Sequence, residues 1–116
     1  MSGSIDGVTW SAADEAFMKE ALREAKFALE SNEVPVGCVL VDKTSSRIIA
    51  RGHNRVNESC NPTRHAEFEA MNDIEVDGAN FNLRLYVTCE PCCMCAAALR
   101  YAGITDVVYG SAYASA

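Results

Sequence analysis

The stretch from residue 83 to residue 109, LRLYVTCEPCCMCAAALRYAGITDVVY, decides the fold of this chain. Leu83 to Thr88 predicts a strand, and Cys92 to Tyr101 predicts a helix that stops at Gly103. A second strand is predicted at Asp106 to Tyr109. Because a helix joins these two strands, the connection is a crossover that makes them parallel, with helices on the sheet faces. The sequence therefore predicts an α/β fold.

The rest of the chain supplies the other elements of this fold. Ala13 to Leu29 predicts an amphipathic helix, because apolar residues recur there every fourth position, and Ser11 and Asp14 form a weak capping pair before it. A nearly continuous apolar run, Val34 to Val41, predicts a buried strand. The other predicted elements are a hairpin partner strand at Arg47 to Arg51, a polar loop from Gly52 to Pro62, a helix from the N-cap Thr63 to about Ile74, and a loop around Asp77 and Gly78.

Length and composition exclude several classes of protein. The 116 residues fit a single domain, and 49% apolar with 22% charged residues indicates a chain that buries a core. No apolar run approaches the ~18 residues that a membrane span needs. Residues 1–10 are expected to be a flexible leader without a secretory signal, so we expect a cytoplasmic and/or nuclear protein that is not secreted. The net charge of −6 argues against gripping a phosphate backbone unaided.

The cysteines and histidines suggest a metal site. Cys92 and Cys95 are three residues apart near the start of a helix, with Pro91 expected as its first helical residue, so both thiols can bind one ion. The positive end of the helix favours their thiolate forms. With His65 as third ligand, Zn²⁺ would keep an open fourth position for water, as catalytic zinc sites do. Residues two apart point roughly 200° apart on a helix, so His65 must lie at the extreme N-terminus of its helix for Glu67 to reach the metal-bound water. Glu67 would then carry protons without binding the metal.

Other interpretations of these residues stay open. An isolated Cys-x-x-Cys is more often redox-active or structural, although a dithiol oxidoreductase leaves His-Ala-Glu unexplained, and a zinc ribbon needs a second such pair. Cys38 is expected in the core, and His53 is expected to be a loop residue. Cys89 and Cys93 are either small apolar fillers or additional thiolates near the metal.

Several motifs resemble the cytidine deaminase-like superfamily. They are His-Ala-Glu at 65–67 with Pro-Cys-Cys-Met-Cys at 91–95, Glu-Val-Pro-Val-Gly-Cys at 33–38, Gly-His-Asn-Arg at 52–55, and Val-Val-Tyr-Gly at 107–110. Within that superfamily, the chain is most similar to the catalytic subunit of the heterodimeric eukaryotic tRNA-specific adenosine deaminases. The resemblance covers about residues 13–110.

The resemblance implies a fold and a reaction. The expected fold is a three-layer α-β-α cytidine deaminase-like domain with a mixed sheet at 11–110. Residues 111–116 match nothing in the family, whose members continue with a further strand and helices, so we expect a C-terminally truncated domain. The implied reaction converts adenosine to inosine at the wobble position of tRNA anticodons. The implied partners are the tRNA anticodon arm and a paralogous deaminase-like subunit, or a second copy of the chain.

The resemblance also implies a role for each site residue. His65, Cys92 and Cys95 would bind Zn²⁺, Glu67 would shuttle protons, and the flipped base would be held by Asn54, Val36 and Ala66.

Two alternatives to this function remain open at the level of sequence. The chain could deaminate a free base or nucleotide, such as cytosine, guanine or deoxycytidylate, or it could be a truncated, non-catalytic module stabilised by zinc. Arg51, Arg55 and Arg64 lie near the expected site, where the only acidic residue of their stretch is Glu58. They could meet a few RNA phosphates, but a whole anticodon arm requires a basic partner.

Overall fold

A computed structural model describes residues 4–5, 8–74 and 80–110 of the chain. The leader is thus described only in part, and the loop around Asp77 and Gly78 and the tail at 111–116 lie outside the described residues. The strands are β1 (Ser4–Ile5), β2 (Val8–Thr9), β3 (Gly37–Asp42), β4 (Arg47–His53), β5 (Leu83–Val87) and β6 (Asp106–Tyr109). The helices are α1 (Ala12–Glu30), α2 (Val56–Ser59), α3 (Ala66–Met71) and α4 (Cys93–Ala102).

The main sheet is mixed, as predicted. Its strands lie in the order β4-β3-β5-β6, with β3 antiparallel to both β4 and β5. The β5 and β6 strands run parallel and are joined by α4, which confirms the crossover. In addition, β1 and β2 pair antiparallel within the region expected as a flexible leader, where the sequence indicated no strand.

The layers follow from the alternation of side chains along β3. Cys38 and Leu40 belong to a core shared with residues of α3 and α4, whereas Val39 and Val41 belong to a core shared with Met18 of α1. Helices therefore cover both faces of the sheet, and the three-layer α-β-α architecture is confirmed. None of the helices in the described part of the chain is both long enough and apolar enough to cross a membrane.

The ends of two predicted elements are confirmed by the structure. Ser11 caps α1 and forms a full capping box with Asp14, each side chain accepting a hydrogen bond from the other residue's backbone N–H. At the end of α4, Gly103 adopts the left-handed conformation, with φ of 85°. The N–H of Ile104 then donates to the carbonyl of Leu99, so the helix stops where the sequence predicted.

The predictions for residues 34–74 are wrong in detail. The strand β3 begins at Gly37 rather than Val34, whose side chain is 62% exposed. The expected loop at 52–62 contains the end of β4 and the single-turn helix α2. Thr63 is not an N-cap, because its hydroxyl and its N–H both donate to Asn61 Oδ1. His65 is the N-cap of α3, which ends at Met71.

Gly52 sets how closely α3 approaches the sheet. A Cβ atom built there would lie 2.2 Å from the carbonyl oxygen of Ala66 and 2.7 Å from the backbone nitrogen of Ala70. Backbone atoms cannot rotate away as a flexible side chain can, so any side chain at position 52 must push α3 outward. The close approach therefore fixes the start of α3, where His65 and Glu67 lie.

We expect Gly52→Ala to lower the free energy of unfolding by about 1–3 kcal/mol or more, the usual cost of overpacking a core. Urea unfolding of the zinc-saturated proteins measures the change. Gly110→Ala is the comparison, because a Cβ atom at position 110 would lie 3.0 Å from its nearest neighbour, the carbonyl oxygen of Thr88. This variant should lower the free energy of unfolding by less. Equal stability of Gly52→Ala and the wild-type chain would contradict this view of the packing.

Candidate active site

His65 occupies the N-cap position of α3. Its backbone is extended, with φ of −71° and ψ of 163°, and its carbonyl accepts from the N–H of Glu69. An N-cap residue lies half outside the helix, so its side chain is not bound to the helical spacing of the residues that follow. The imidazole and the side chain of Glu67, two residues later, can therefore reach the same region.

Cys92 and Cys95 occupy the N-cap and third positions of α4. The helix begins at Cys93, so the prediction that Pro91 is its first residue is wrong; Pro91 precedes the cap. Side chains at the N-cap and third positions of a helix face each other, as Ser11 and Asp14 do in α1. This geometry turns both thiols toward the same point.

The two helix starts bring three metal-binding atoms together. His65 Nδ1 lies 3.4 Å from Cys95 Sγ and 3.7 Å from Cys92 Sγ. The ligand atoms of these three residues all lie within 4.8 Å of one another. A tetrahedral zinc ion separates a nitrogen and a sulfur ligand by roughly 3.5 Å, so the donor set and its spacing fit Zn²⁺. Three protein ligands would leave a fourth position for water or substrate.

Burial opposes the thiolate form of one ligand. Burial raises the pKa of Cys95 strongly, and the nearby carboxylate of Glu67 and the thiol of Cys92 raise it further. Desolvation at Cys95 therefore opposes the preference of the helix start for thiolates. A bound divalent cation would favour the thiolate form of Cys95 despite its burial, since a coordinated thiol is deprotonated.

Glu67 lies beside the three ligand atoms. Its side chain is buried, with 4% of its surface exposed, and it is not one of the three residues whose ligand atoms cluster in the described part of the chain. Burial raises the pKa of Glu67, whereas hydrogen bonds from its own backbone and from Cys95 lower it. A buried carboxyl group with a raised pKa exchanges protons closer to neutral pH than an exposed one does.

The expected base-binding residues belong to segments that are hydrogen-bonded to one another and to the residues before α3. Asn54 directly follows β4, is 8% exposed, and its N–H donates to the carbonyl of Val36. The N–H of Arg55 donates to the carbonyl of Arg64, which ties this segment to the residue before His65. Ala66, the first residue of α3, is fully buried, and Val36 packs against the same core.

The remaining cysteines and His53 lie outside the cluster of ligand atoms. Cys38 is fully buried in the core, as predicted, and burial raises the pKa of its thiol well above the usual value. Cys93 is exposed and Cys89 is half-buried. His53 is the last residue of β4, not a loop residue, and its Nδ1 lies 3.4 Å from Glu24 Oε1.

The arginines near the site are paired with more carboxylates than the sequence indicated. Arg51 lies 2.9 Å from Glu20, on α1. Arg55 and Arg64 share Glu69, at 3.1 and 3.2 Å, and Arg55 also pairs with Glu58. Their positive charge is therefore largely balanced within the chain.

Glu33 and Glu69 are among the buried or nearly buried carboxylates that the sequence did not single out. Glu69 holds the arginine pair just described, and Glu33 accepts hydrogen bonds from the backbone of α2. The only signal in the sequence was the place of Glu33 at the head of the Glu-Val-Pro-Val-Gly-Cys motif. An acidic residue between a helix and an apolar strand is otherwise indistinguishable from a surface residue.

A family comparison matches nearly the whole described chain. The model of the cytidine and deoxycytidylate deaminase zinc-binding region matches residues 11–111. Among curated relatives, the tRNA-specific adenosine deaminase of Streptococcus pyogenes serotype M18 is 44% identical over 98 residues, which are 82% of this chain and 60% of the relative. The tRNA-specific adenosine deaminase 2 of Danio rerio is 44% identical over 106 residues, 83% of this chain and 48% of the relative. The chain thus spans about half to three fifths of these relatives.

Solved structures of similar chains share the fold. One comes from a study of A-to-I editing by tRNA:A34 deaminases at the wobble position of transfer RNA. It has a TM-score of 0.77 and 43% identity, covering 87% of this chain and 78% of that chain. The guanine deaminase of Bacillus subtilis has a TM-score of 0.74 and 33% identity, covering 85% of this chain and 64% of that chain.

Proposed function

The chain belongs to the cytidine and deoxycytidylate deaminase family with its zinc-binding region, and from that premise we propose that it deaminates adenosine to inosine at the wobble position of tRNA anticodons. The observation that carries the proposal is the convergence of His65, Cys92 and Cys95, with the buried carboxyl group of Glu67 beside them. A site with three ligands and an adjacent proton carrier is typical of hydrolytic zinc enzymes. The tRNA-specific adenosine deaminases at 44% identity support this substrate.

The proposed reaction assigns each proton movement to Glu67. A zinc ion held by the three ligands would act as a Lewis acid that lowers the pKa of water. Glu67 accepts a proton from the attacking water and delivers it to a ring nitrogen of the adenine. It then takes the second proton from the hydroxyl group added to the ring carbon and passes it to the departing amino group, which leaves the carbonyl of inosine. One water is consumed and one ammonia is released for each inosine formed.

The base would bind between Asn54, Val36 and Ala66. The Oδ1 atom of Asn54 accepts from the N–H of Val56 at 2.9 Å, which leaves its Nδ2 group to donate to a ring nitrogen of the adenine base. A base inside a stacked duplex cannot reach such a pocket, so the target must be flipped out or lie in a loop. The anticodon loop offers such a base.

The second candidate is deamination of a free base. The similarity to the Bacillus guanine deaminase favours it, since the fold and the family's zinc site are shared with enzymes of small substrates. The higher identity to the tRNA-editing chain favours an RNA substrate. A non-catalytic, zinc-stabilised module is disfavoured by Glu67, because a structural zinc site has no use for a proton carrier beside it.

A substrate panel tests the proposal. The zinc-loaded protein, alone and with a paralogous subunit, is incubated with an anticodon stem-loop carrying adenosine at the wobble position. Parallel samples contain adenosine, guanine, cytosine and deoxycytidylate. Inosine formed only in the stem-loop supports the proposal. Turnover of a free base or nucleotide with none of the RNA would overturn it.

We further propose a second subunit, either the paralogue of a eukaryotic heterodimer or a second copy of the chain. The support is electrostatic, because the net charge is −6 and Arg51, Arg55 and Arg64 are all paired with carboxylates. Protein affinity for RNA depends mainly on unpaired basic groups that displace counterions. The similarity to the zebrafish deaminase 2 supports the eukaryotic type.

The isolated chain should therefore bind an anticodon stem-loop weakly, with an affinity that falls further between about 50 and 200 mM salt, and should turn it over slowly or not at all. A basic paralogous subunit should raise both affinity and rate. Fluorescence anisotropy measures the binding, and sedimentation gives the oligomeric state of the same samples. A stable monomer that deaminates the RNA at full rate would contradict the need for a partner.

A further inference from the structure

Glu33 is a buried carboxylate with two backbone partners. It follows α1, precedes β3, and only 5% of its surface is exposed. Its Oε1 atom accepts from the N–H of Asn57 at 2.9 Å, and its Oε2 atom accepts from the N–H of Glu58 at 2.8 Å. Burying a charged group is costly unless it is hydrogen-bonded, so both bonds are needed to hold the carboxylate there.

The neighbouring N–H of α2 is bound by the side chain of Asn54. Asn54 Oδ1 accepts from the N–H of Val56 at 2.9 Å. Three successive N–H groups at the start of α2 are therefore bound by only two side chains, Glu33 and Asn54. The side chain of Asn57 also donates to the carbonyl of Asn32 at 3.0 Å, a second bond between α2 and the turn after α1.

This arrangement fixes the orientation of the Asn54 amide. While α2 stays in place, the N–H of Val56 holds Oδ1, and the Nδ2 group must point the other way. If α2 shifted, the amide could rotate and present its oxygen instead, exchanging a donor for an acceptor. The chain next to Asn54 is also attached to the residue before His65, because the N–H of Arg55 donates to the carbonyl of Arg64.

We propose that Glu33 is a positioning residue, which acts through α2 to hold the Asn54 side chain with its Nδ2 group toward the substrate base. This inference rests on the proposed deamination function for its effect on the reaction. Its structural part, the hold of Glu33 on α2 and Asn54, does not depend on which substrate the protein uses.

The test replaces Glu33 with glutamine. Glu33→Gln keeps the size of the side chain but places an NH₂ donor against one backbone N–H. With the anticodon stem-loop and the complete complex, kcat should fall on the order of 10²-fold, as expected when a reacting group is misplaced. KM should change little, because phosphate contacts dominate RNA affinity. Glu30→Gln, an exposed residue at the end of α1, makes the same change of charge and should leave both constants unchanged.

Two further variants separate positioning from general stability. Glu33→Asp keeps the carboxylate but shortens its reach, so it should give an intermediate loss of kcat. It replaces the glutamine variant if that protein does not fold. Asn54→Asp keeps the acceptor for Val56 and removes the donor. In that background Glu33→Gln should cost little more, since residues acting through one another are not additive. If Glu33→Gln lowered kcat equally in the wild-type protein and in the Asn54→Asp protein, the proposal would be overturned.

A readout without substrate distinguishes this inference from the proposed function. In the zinc-loaded wild-type chain, the amides of Asn57 and Glu58 should exchange slowly, and the Asn54 side-chain amide should give a distinct NMR signal. Glu33→Gln should lose that protection and shift the Asn54 signal, with zinc content unchanged. Unchanged protection and signal would overturn the role of Glu33, even if the RNA is deaminated. If the wild-type complex did not deaminate the RNA but Glu33→Gln still caused these changes, the proposed substrate would be refuted and the hold of Glu33 on α2 would be supported.

Discussion

Glu67→Ala should abolish deamination while zinc content and fold are retained. General acid–base groups typically contribute about 10²–10⁴-fold, and Glu67 is assigned more than one proton transfer, so the loss should reach the upper end of that range or exceed it. The carboxylate lies outside the cluster of ligand atoms, so its removal should not release the metal. Inosine is measured by mass spectrometry, zinc by elemental analysis, and the fold by circular dichroism.

Glu30→Ala is the control for this variant, because Glu30 is an exposed carboxylate at the end of α1. It should retain wild-type activity. Substantial inosine formation by Glu67→Ala in a competent complex would show that another group carries the protons.

Loss of a zinc ligand should remove metal and stability together. The wild-type chain should hold about one zinc ion, because one cluster of three ligand atoms is found among its described residues. Cys92→Ser and His65→Ala should lose that zinc, and their melting temperatures should fall sharply, since the binding energy of such sites is about 10–16 kcal/mol in small zinc domains and is also folding energy.

Cys93→Ser is a closely matched control, since Cys93 is the exposed neighbour of Cys92 and lies outside the cluster. It should keep both zinc and stability. Elemental analysis that finds no zinc or two zinc ions in the wild-type chain would contradict the site, as would equal zinc loss from Cys92→Ser and Cys93→Ser.

The elements of this fold could be predicted where the sequence signal is local. The crossover of β5, α4 and β6 follows from two apolar runs and a glycine stop, and the α1 cap follows from the Ser11 and Asp14 pair. Each of these signals lies within a single turn or a single strand. The structure confirms them.

Local preferences placed the starts of α3 and α4 wrongly, although the spacing of His65 and Glu67 correctly required His65 at the very start of its helix. Thr63 and Pro91 have strong preferences for helix starts, so the sequence favours them as the first residues. The structure instead has His65 and Cys92 at the two N-caps, where an extended backbone frees the side chain to face the site. The demands of the site, which local propensity does not include, decide these boundaries.

The long-range pair of Arg51 with Glu20 and the role of Glu33 could not be predicted from the sequence. Arg51 meets Glu20 across 31 positions of the chain, and Glu33 meets the backbone of α2 across about 25. Such contacts exist only after α1 packs on the sheet, so no spacing rule reveals them. The basic appearance of the stretch from Arg51 to Arg64 was therefore misleading.

The dependence of wobble inosine on zinc tests the proposed active site most directly. The protein, with its partner subunit, is stripped of metal by chelation and given zinc in increments, and inosine is measured in an anticodon stem-loop after nuclease digestion. Activity should rise with zinc, saturate near one ion per chain, and be absent from the Cys92→Ser protein. Inosine formation by the metal-free protein, or none at any zinc level, would contradict the proposed zinc-dependent reaction.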